Sequence, residues 1–319
     1  MNAFVQILSI TTPIFALIGL GYVCTRLGLF AKTDMRVLGK FVLTLALPAL
    51  IFKSMAQRSV AEVFNPTYLG GYVFGSLGSL ALAYWLARRA AKVSPIKATF
   101  VALGSSCSNS GFVGYPILLL SLPAVAGVSF ALNLVVENIV VIPLLLFLAE
   151  RAKGSHPSAS KAIQDALVKL ATNPLVIGLV LGLLVSILGV QLPAPAARTV
   201  DMLAMASGAA SLLVIGGTLV GLPLRGMAWK VSPLAVCKLG LHPLMVGLAI
   251  GLLVWLGLPE LDPQLRAAAI LSAAMPMMGI FPTLAQAYGQ EDWTAVGLVV
   301  TTITAFFTLT GLLWVLIPA

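Results

Sequence analysis

Ser108, Asn109 and Ser110 are followed by Gly111, Gly114 and Pro116 inside a stretch otherwise apolar enough to cross a bilayer. The hydroxyls and the amide offer hydrogen-bond donors and acceptors, and the glycines let a ligand approach the backbone closely. Gly and Pro at this density stop a helix midway and leave backbone N–H groups without helical partners. A second stretch, Ser272 to Pro282, is interrupted in the same way around Met275, Pro276 and Gly279, and its helix can restart at Pro282. A half-helix start carries roughly half a positive charge, so two such starts meeting within a membrane would favour an anion. The competing explanation is that these small residues and prolines only permit kinks and close helix packing.

Ionisable residues in apolar stretches are the other chemical candidates, because charge within a membrane is costly. Glu137 has Asn133 one turn before it and Asn138 beside it. Either Glu137 faces a cavity and carries a coupling proton or cation, or it is a neutral acid satisfied by Asn133 or a backbone group. Lys238 lies near enough to the cytoplasmic end of its segment to snorkel. One turn on, His242 precedes Pro243 and would either hydrogen-bond near a kink or carry a proton. Asp201 and Arg198 read as an interfacial pair. Met275, Met277 and Met278 would serve as adaptable packing or touch a ligand. Cys24, Cys107 and Cys237 match no disulfide or metal spacing and read as inert thiols. No metal or cofactor is expected, and H⁺ and Na⁺ are the candidate coupling ions.

The elements that position these groups follow from composition. With 60% apolar and 9% charged residues among 319, and a mean hydropathy of +1.05, the chain is an all-α membrane protein rather than a soluble domain. The first apolar run starts near Met1 with no charged leader or cleavage site behind it, so it reads as a retained span. Apolar stretches of membrane-crossing length predict ten transmembrane helices: Phe4 to Val23, Phe41 to Ala56, Tyr68 to Ala87, Ala98 to Leu120, Val125 to Ala149, Leu170 to Val190, Val200 to Leu222, Pro233 to Leu256, Ala267 to Tyr288 and Trp293 to Ile317. The polar segment 151–169, with Gly154, Ser155, Pro157, Ser158 and Ser160, forms a short cytoplasmic linker between residues 1–150 and 170–319. Each half then holds five spans, and an odd number requires any repeat to be inverted in the membrane. Pro13 followed by Gly21, and Pro174 followed by Gly182, hint at such a repeat. The two interrupted stretches become the fourth and ninth spans, each the fourth of its half, entering from opposite faces and breaking around Asn109 to Tyr115 and Pro276 to Phe281.

Basic residues fix the orientation. One alternating set of loops holds Arg26, Lys32, Arg36, Lys40, Arg88, Arg89, Lys92, Lys97, Arg151, Lys153, Lys161, Lys169, Arg225, Lys230 and Lys238. The other holds only Lys53, Arg58, Arg198 and Arg266, which places both termini on the periplasmic side. The net charge of +9 is therefore a topology signal. It is spread over four loops without interleaved aromatics, so it argues against a nucleic-acid partner. An enzyme would need a nucleophile with its base or a metal cluster, and the chain has two histidines, one of them in the linker.

Leu47-Pro48-Ala-Leu-Ile-Phe52, Asn109-Ser-Gly-Phe-Val-Gly-Tyr-Pro116, Met275-Pro276 and Ala285-Gln-Ala-Tyr-Gly289 together resemble the auxin efflux carrier family, and the similarity spans essentially the whole chain. The resemblance is to its bacterial members, which include malonate and malate permeases with a short central loop. It implies two inverted five-helix repeats, an elevator-like alternation of access, and a multi-pass protein of the bacterial inner membrane. It also implies a substrate carboxylate held at a crossover by Asn109, Pro116 and Pro276. The chain departs from the family pattern in the ninth span, where no Asn accompanies Pro276. The expected partners are a small organic anion and the bilayer, with a homodimer left open. A cation/proton antiporter of Na⁺/H⁺ type would share the broken helices, but it would want carboxylates in the interrupted stretches, where there are none.

Overall fold

Proline and a polar cap together set four of the helix starts. Asn65, Ser94, Asn173 and Asp262 each accept a backbone N–H from the first turn of the helix they precede. Each is followed by a proline whose missing N–H would have had no helical partner there. The computed structural model describes residues 3–58, 65–154, 164, 167–168, 171–221 and 228–316. Most of the expected linker, with Ser155, Pro157, Ser158, Ser160, Lys161 and Lys169, lies outside the described residues, as do Arg225 and both chain ends.

The described residues are helical apart from short connections. The helices are α1 (Ala3–Arg26), α2 (Lys32–Ala56), α3 (Pro66–Arg89), α4 (Pro95–Ser106), α5 (Ser110–Ser121), α6 (Pro123–Ala152), α7 (Pro174–Leu188), α8 (Ala194–Thr218), α9 (Trp229–Trp255), α10 (Pro263–Ala273), α11 (Phe281–Gln286) and α12 (Glu291–Leu316). Among the described residues, six helices are long and apolar enough to cross a membrane: α2, α3, α6, α8, α9 and α12. Their outward faces expose large apolar side chains such as Leu248, Leu252, Ile303 and Phe307, as lipid contact requires. Trp85, Trp229, Trp255 and Trp314 are exposed near helix ends, where amphipathic rings favour the membrane interface.

Four of these helices contain a π-helical turn just before a proline: Val42–Ala46 before Pro48, Ser110–Gly114 before Pro116, Glu137–Val141 before Pro143, and Cys237–Leu241 before Pro243. A proline ring clashes with the carbonyl four residues back, and in each case that carbonyl falls within the wider turn. The widened turn accommodates the ring without ending the helix. It also adds a residue and so rotates the face of the following segment.

Helix pairs pack closely at glycine. α1 lies along α8, α2 along α7 and α3 along α9. A methyl at Gly21 would collide with the Leu213 carbonyl, and one at Gly216 with that of Ile18. Gly178 and Gly182 likewise admit the Pro48 and Phe52 carbonyls, and Gly75 admits the Val246 backbone. Between helices, where burial of apolar area gains little in lipid, such close backbone approach supplies the packing. At the rim Asp201 is paired with Lys53 of α2 at 2.7 Å. The expected pairing of Asp201 with Arg198 is corrected: the α2–α8 contact brings a cation from another helix closer.

Candidate functional site

α4 ends at Ser106 and the chain becomes extended at Cys107 (φ −115°, ψ 130°). α10 ends at Ala273, and the chain is again irregular until α11. Ser108 and Met277 form an isolated antiparallel bridge, and the Asn109 N–H donates to the Pro276 carbonyl at 2.8 Å. The two interruptions therefore satisfy each other's main chain, which buried backbone at membrane depth requires. Helix resumes at Ser110, earlier than the expected restart, because the π turn to Gly114 accommodates Pro116. In the second stretch the helix resumes at Phe281 with Pro282 in its first turn, as the proline signalled.

Asn109 caps the resumed helix, its Oδ1 accepting the Phe112 N–H at 3.2 Å. That fixes which way the amide points. Its Nδ2 is buried with no hydrogen-bond partner among the described residues. A methyl at Gly279 would lie 3.7 Å from that nitrogen, so the amide faces the glycine of the other interruption. A buried donor without an acceptor costs about 1–3 kcal/mol, and a ligand oxygen would remove that cost.

Around the bridge lies a closed polar network. Glu137 Oε1 accepts from the Ser108 N–H at 3.2 Å, the Ser110 hydroxyl at 2.9 Å and the Tyr72 hydroxyl at 3.2 Å. On the other side of Ser108, the Lys238 ammonium donates to Ser108 Oγ at 2.9 Å and to the Ala273 carbonyl at 2.5 Å, and sits 3.0 Å from His242 Nδ1. His242 Nε2 meets Ser76 Oγ at 2.9 Å. Further along α3, the Tyr68 hydroxyl bonds Ser129 at 2.6 Å and Asn133 Oδ1 at 2.9 Å, and Ser129 reaches Ser272 at 3.2 Å. Asn133 Nδ2 is a second buried amide nitrogen without a partner among the described residues.

Several sequence expectations change here. Lys238 does not snorkel: it is fully buried at the junction, because α9 begins at Trp229 rather than Pro233 and its π turn swings Lys238 inward. Glu137 is satisfied by a backbone group, the Ser108 N–H, as one alternative had it, and also by the Ser110 and Tyr72 hydroxyls rather than by Asn133. Asn138 turns back onto its own helix, donating to the Leu134 carbonyl at 2.9 Å. Met275 and Met277 are fully buried, set against Gly114 and Gly297 respectively. Tyr68, Tyr72 and Ser76 were not singled out from sequence. Their spacing of four puts them on one face of α3, a signal that was present in the chain.

Six apolar helices of membrane-crossing length with outward apolar faces make this a multi-pass membrane protein. The family model described as membrane transport protein matches residues 7–313. The chain belongs to that family, the auxin efflux carrier family that its motifs resemble. It is 27% identical over 312 residues, 98% of this chain and 96% of the relative, to a Rhizobium meliloti (strain 1021) protein named "Putative malonate transporter". It is 25% identical over 261 residues to the uncharacterized transporter YfdV of Escherichia coli (strain K12), covering 81% of this chain and 82% of that one. A Methanothermobacter thermautotrophicus protein named as an uncharacterized transporter matches at 26% over 106 residues, 33% of this chain. Family and relatives are membrane transporters, not enzymes.

Proposed function

We propose that the chain is a secondary-active carrier of small organic anions whose carboxylate binds where the two interruptions cross. The observation that carries this is the main-chain pairing of Ser108 with Met277 and of Asn109 with Pro276, beside a buried Asn109 amide that lacks an acceptor among the described residues. An amide N–H together with the start of α5, a helix more than two turns long, favours a bound anion over a cation. α11 is only six residues long, so the second half-helix contributes a weaker dipole. The name of the Rhizobium meliloti relative supports a malonate-like substrate, and auxin-like monocarboxylates fit the same donors.

The architecture we attach to this reading is ten spans in two inverted five-helix repeats, 1–150 and 170–319, with α4–α5 and α10–α11 as the crossing spans. Reciprocal packing supports it. Gly21 of the first span lies on the second span of the other half, and Gly182 of the sixth lies on the second span of the first half. These are the glycines that follow Pro13 and Pro174 at equal spacing, as exchange of equivalent surfaces would produce. Movement of the crossing spans against α1, α2, α7 and α8 would give alternating access, with both termini periplasmic in a bacterial inner membrane. A Na⁺/H⁺-type antiporter fits less well, since Glu137, the one carboxyl group at the junction among the described residues, already accepts from three donors, and Lys238 bonds the same Ser108.

Purified protein in liposomes should accumulate labelled malonate or a related carboxylate, and Asn109→Ala should lower uptake by roughly ten- to a hundredfold while leaving the protein folded. Uptake unchanged in that variant would overturn the crossover site. Separate Na⁺ and pH gradients would identify the coupling ion.

A further inference from the structure

Each interrupted span has two kinds of end. The resumed helix α5 presents N–H groups, while α4 and α10 end with carbonyls, the negative poles of their dipoles. Lys238 lies at the carbonyl side. Its Nζ bonds the Ala273 carbonyl, the last residue of α10, and the Ser108 hydroxyl two residues past the end of α4. The third neighbour is His242 Nδ1, which accepts when Nε2–H donates to Ser76, the tautomer we assign from that network. Three acceptors at 2.5, 2.9 and 3.0 Å thus receive the three N–H bonds of an ammonium. Glu137 accepts from the N–H of the same Ser108 whose hydroxyl accepts from Lys238, so the two ionisable groups share that residue. A main-chain carbonyl, a hydroxyl and the pole of a helix are also what a monovalent metal cation would seek there.

We infer that Lys238 is a tethered cation that occupies, with its own ammonium, a cation site between the ends of α4 and α10. It fastens the two interruptions together from the carbonyl side while the substrate anion binds on the N–H side. Lys238 is therefore a positioning residue that acts on substrate through Ser108 and the Ser108–Met277 bridge. This inference rests on the proposed anion site. Two consequences follow: transport by the native chain needs no metal cation, and deletion of the side chain opens a site that a small cation can fill.

The test compares native protein, Lys238→Ala and Lys238→Met in choline, Na⁺ and methylammonium buffers. Native uptake should differ by less than about twofold between choline and Na⁺. Lys238→Ala should lose at least roughly tenfold in choline and recover several-fold, saturably, with methylammonium or Na⁺. Lys238→Met fills the space without charge and should stay inactive in all three. Thermal stability gives a readout that does not require transport: methylammonium should raise the melting temperature of Lys238→Ala saturably, and leave native protein and Lys238→Met unmoved. A native carrier that requires Na⁺ would overturn the inference, and so would a Lys238→Ala protein that stays active in choline. A folded Lys238→Ala protein that no small cation stabilises would overturn it as well. If Lys238→Ala does not fold, the native Na⁺ comparison still decides. If the native protein moves no carboxylate, the anion-site reading fails while the melting arm still tests the cation site.

Discussion

The two interruptions meet in the structure but are built from different chemistry. The first presents side chains: Ser108 and Ser110 to Lys238 and Glu137, and Asn109 as helix cap with an amide nitrogen unpartnered among the described residues. The second presents main chain, the Pro276 carbonyl to Asn109 and the Ala273 carbonyl to Lys238, while its methionines fill space. On the proposed reading the first stretch discriminates among ligands and the second holds the frame. With the anion site proposed above, specificity would fall to the first stretch, and substitutions in the two stretches should behave unequally.

The largest expected inequality is at Asn109. Asn109→Asp keeps an oxygen to cap Phe112, so the helix start survives, but it replaces the amide donor with a negative charge facing the anion. Uptake should fall by at least about a hundredfold with a melting temperature close to native. Comparable loss of both would place Asn109 in the framework and erase the distinction between the two stretches.

Glu137→Gln comes next. The amide can still accept at Oε1 from some of its three donors, but the ionisable group that shares Ser108 with Lys238 is gone. Loss of one member of a buried charge pair predicts destabilisation of about 3 kcal/mol, at the low end because the partner keeps its own acceptors. Chemical denaturation in detergent would measure it. If uptake keeps its native dependence on pH in this variant, Glu137 carries no coupling proton.

Sequence alone located both interruptions, because Gly, Pro and Ser within an apolar run change the local backbone wherever they occur. It also singled out Asn109 and Glu137, whose residue types are conspicuous at that depth. It named Lys238 but placed it at the wrong depth, since one long cationic side chain near the end of an apolar segment is compatible with either snorkelling or burial. The outcome depended on where α9 starts and on a π turn. One extra residue rotates a helix face by roughly 100°, and hydropathy carries no record of such a turn, although Pro48, Pro116, Pro143 and Pro243 mark all four. The α3 face of Tyr68, Tyr72 and Ser76 was legible as spacing but lacked a formal charge to draw notice. The pairing of Ser108 with Met277 joins residues far apart in the chain and had no local signature.

Smaller effects test the second interruption. Pro276→Ala retains the carbonyl that accepts from Asn109 N–H, so the link between the stretches persists and only backbone freedom changes. The expected cost is about 0.4–1 kcal/mol, with uptake reduced less than about threefold. A loss as large as that of Asn109→Asp would mean that the proline ring itself shapes the ligand site.

Met275→Leu should do least. Met275 is fully buried, and a methyl at Gly114 would lie 3.3 Å from its Cγ, so the methionine fills the space that the first interruption leaves. Leucine has nearly the same volume, and swaps of this kind usually cost less than about 1.5 kcal/mol. Uptake of the favoured carboxylate should stay within about twofold, and the ranking of substrates should not change. A changed ranking at unaltered stability would be the more instructive result, because it would give the apolar stretch a share in choosing the ligand.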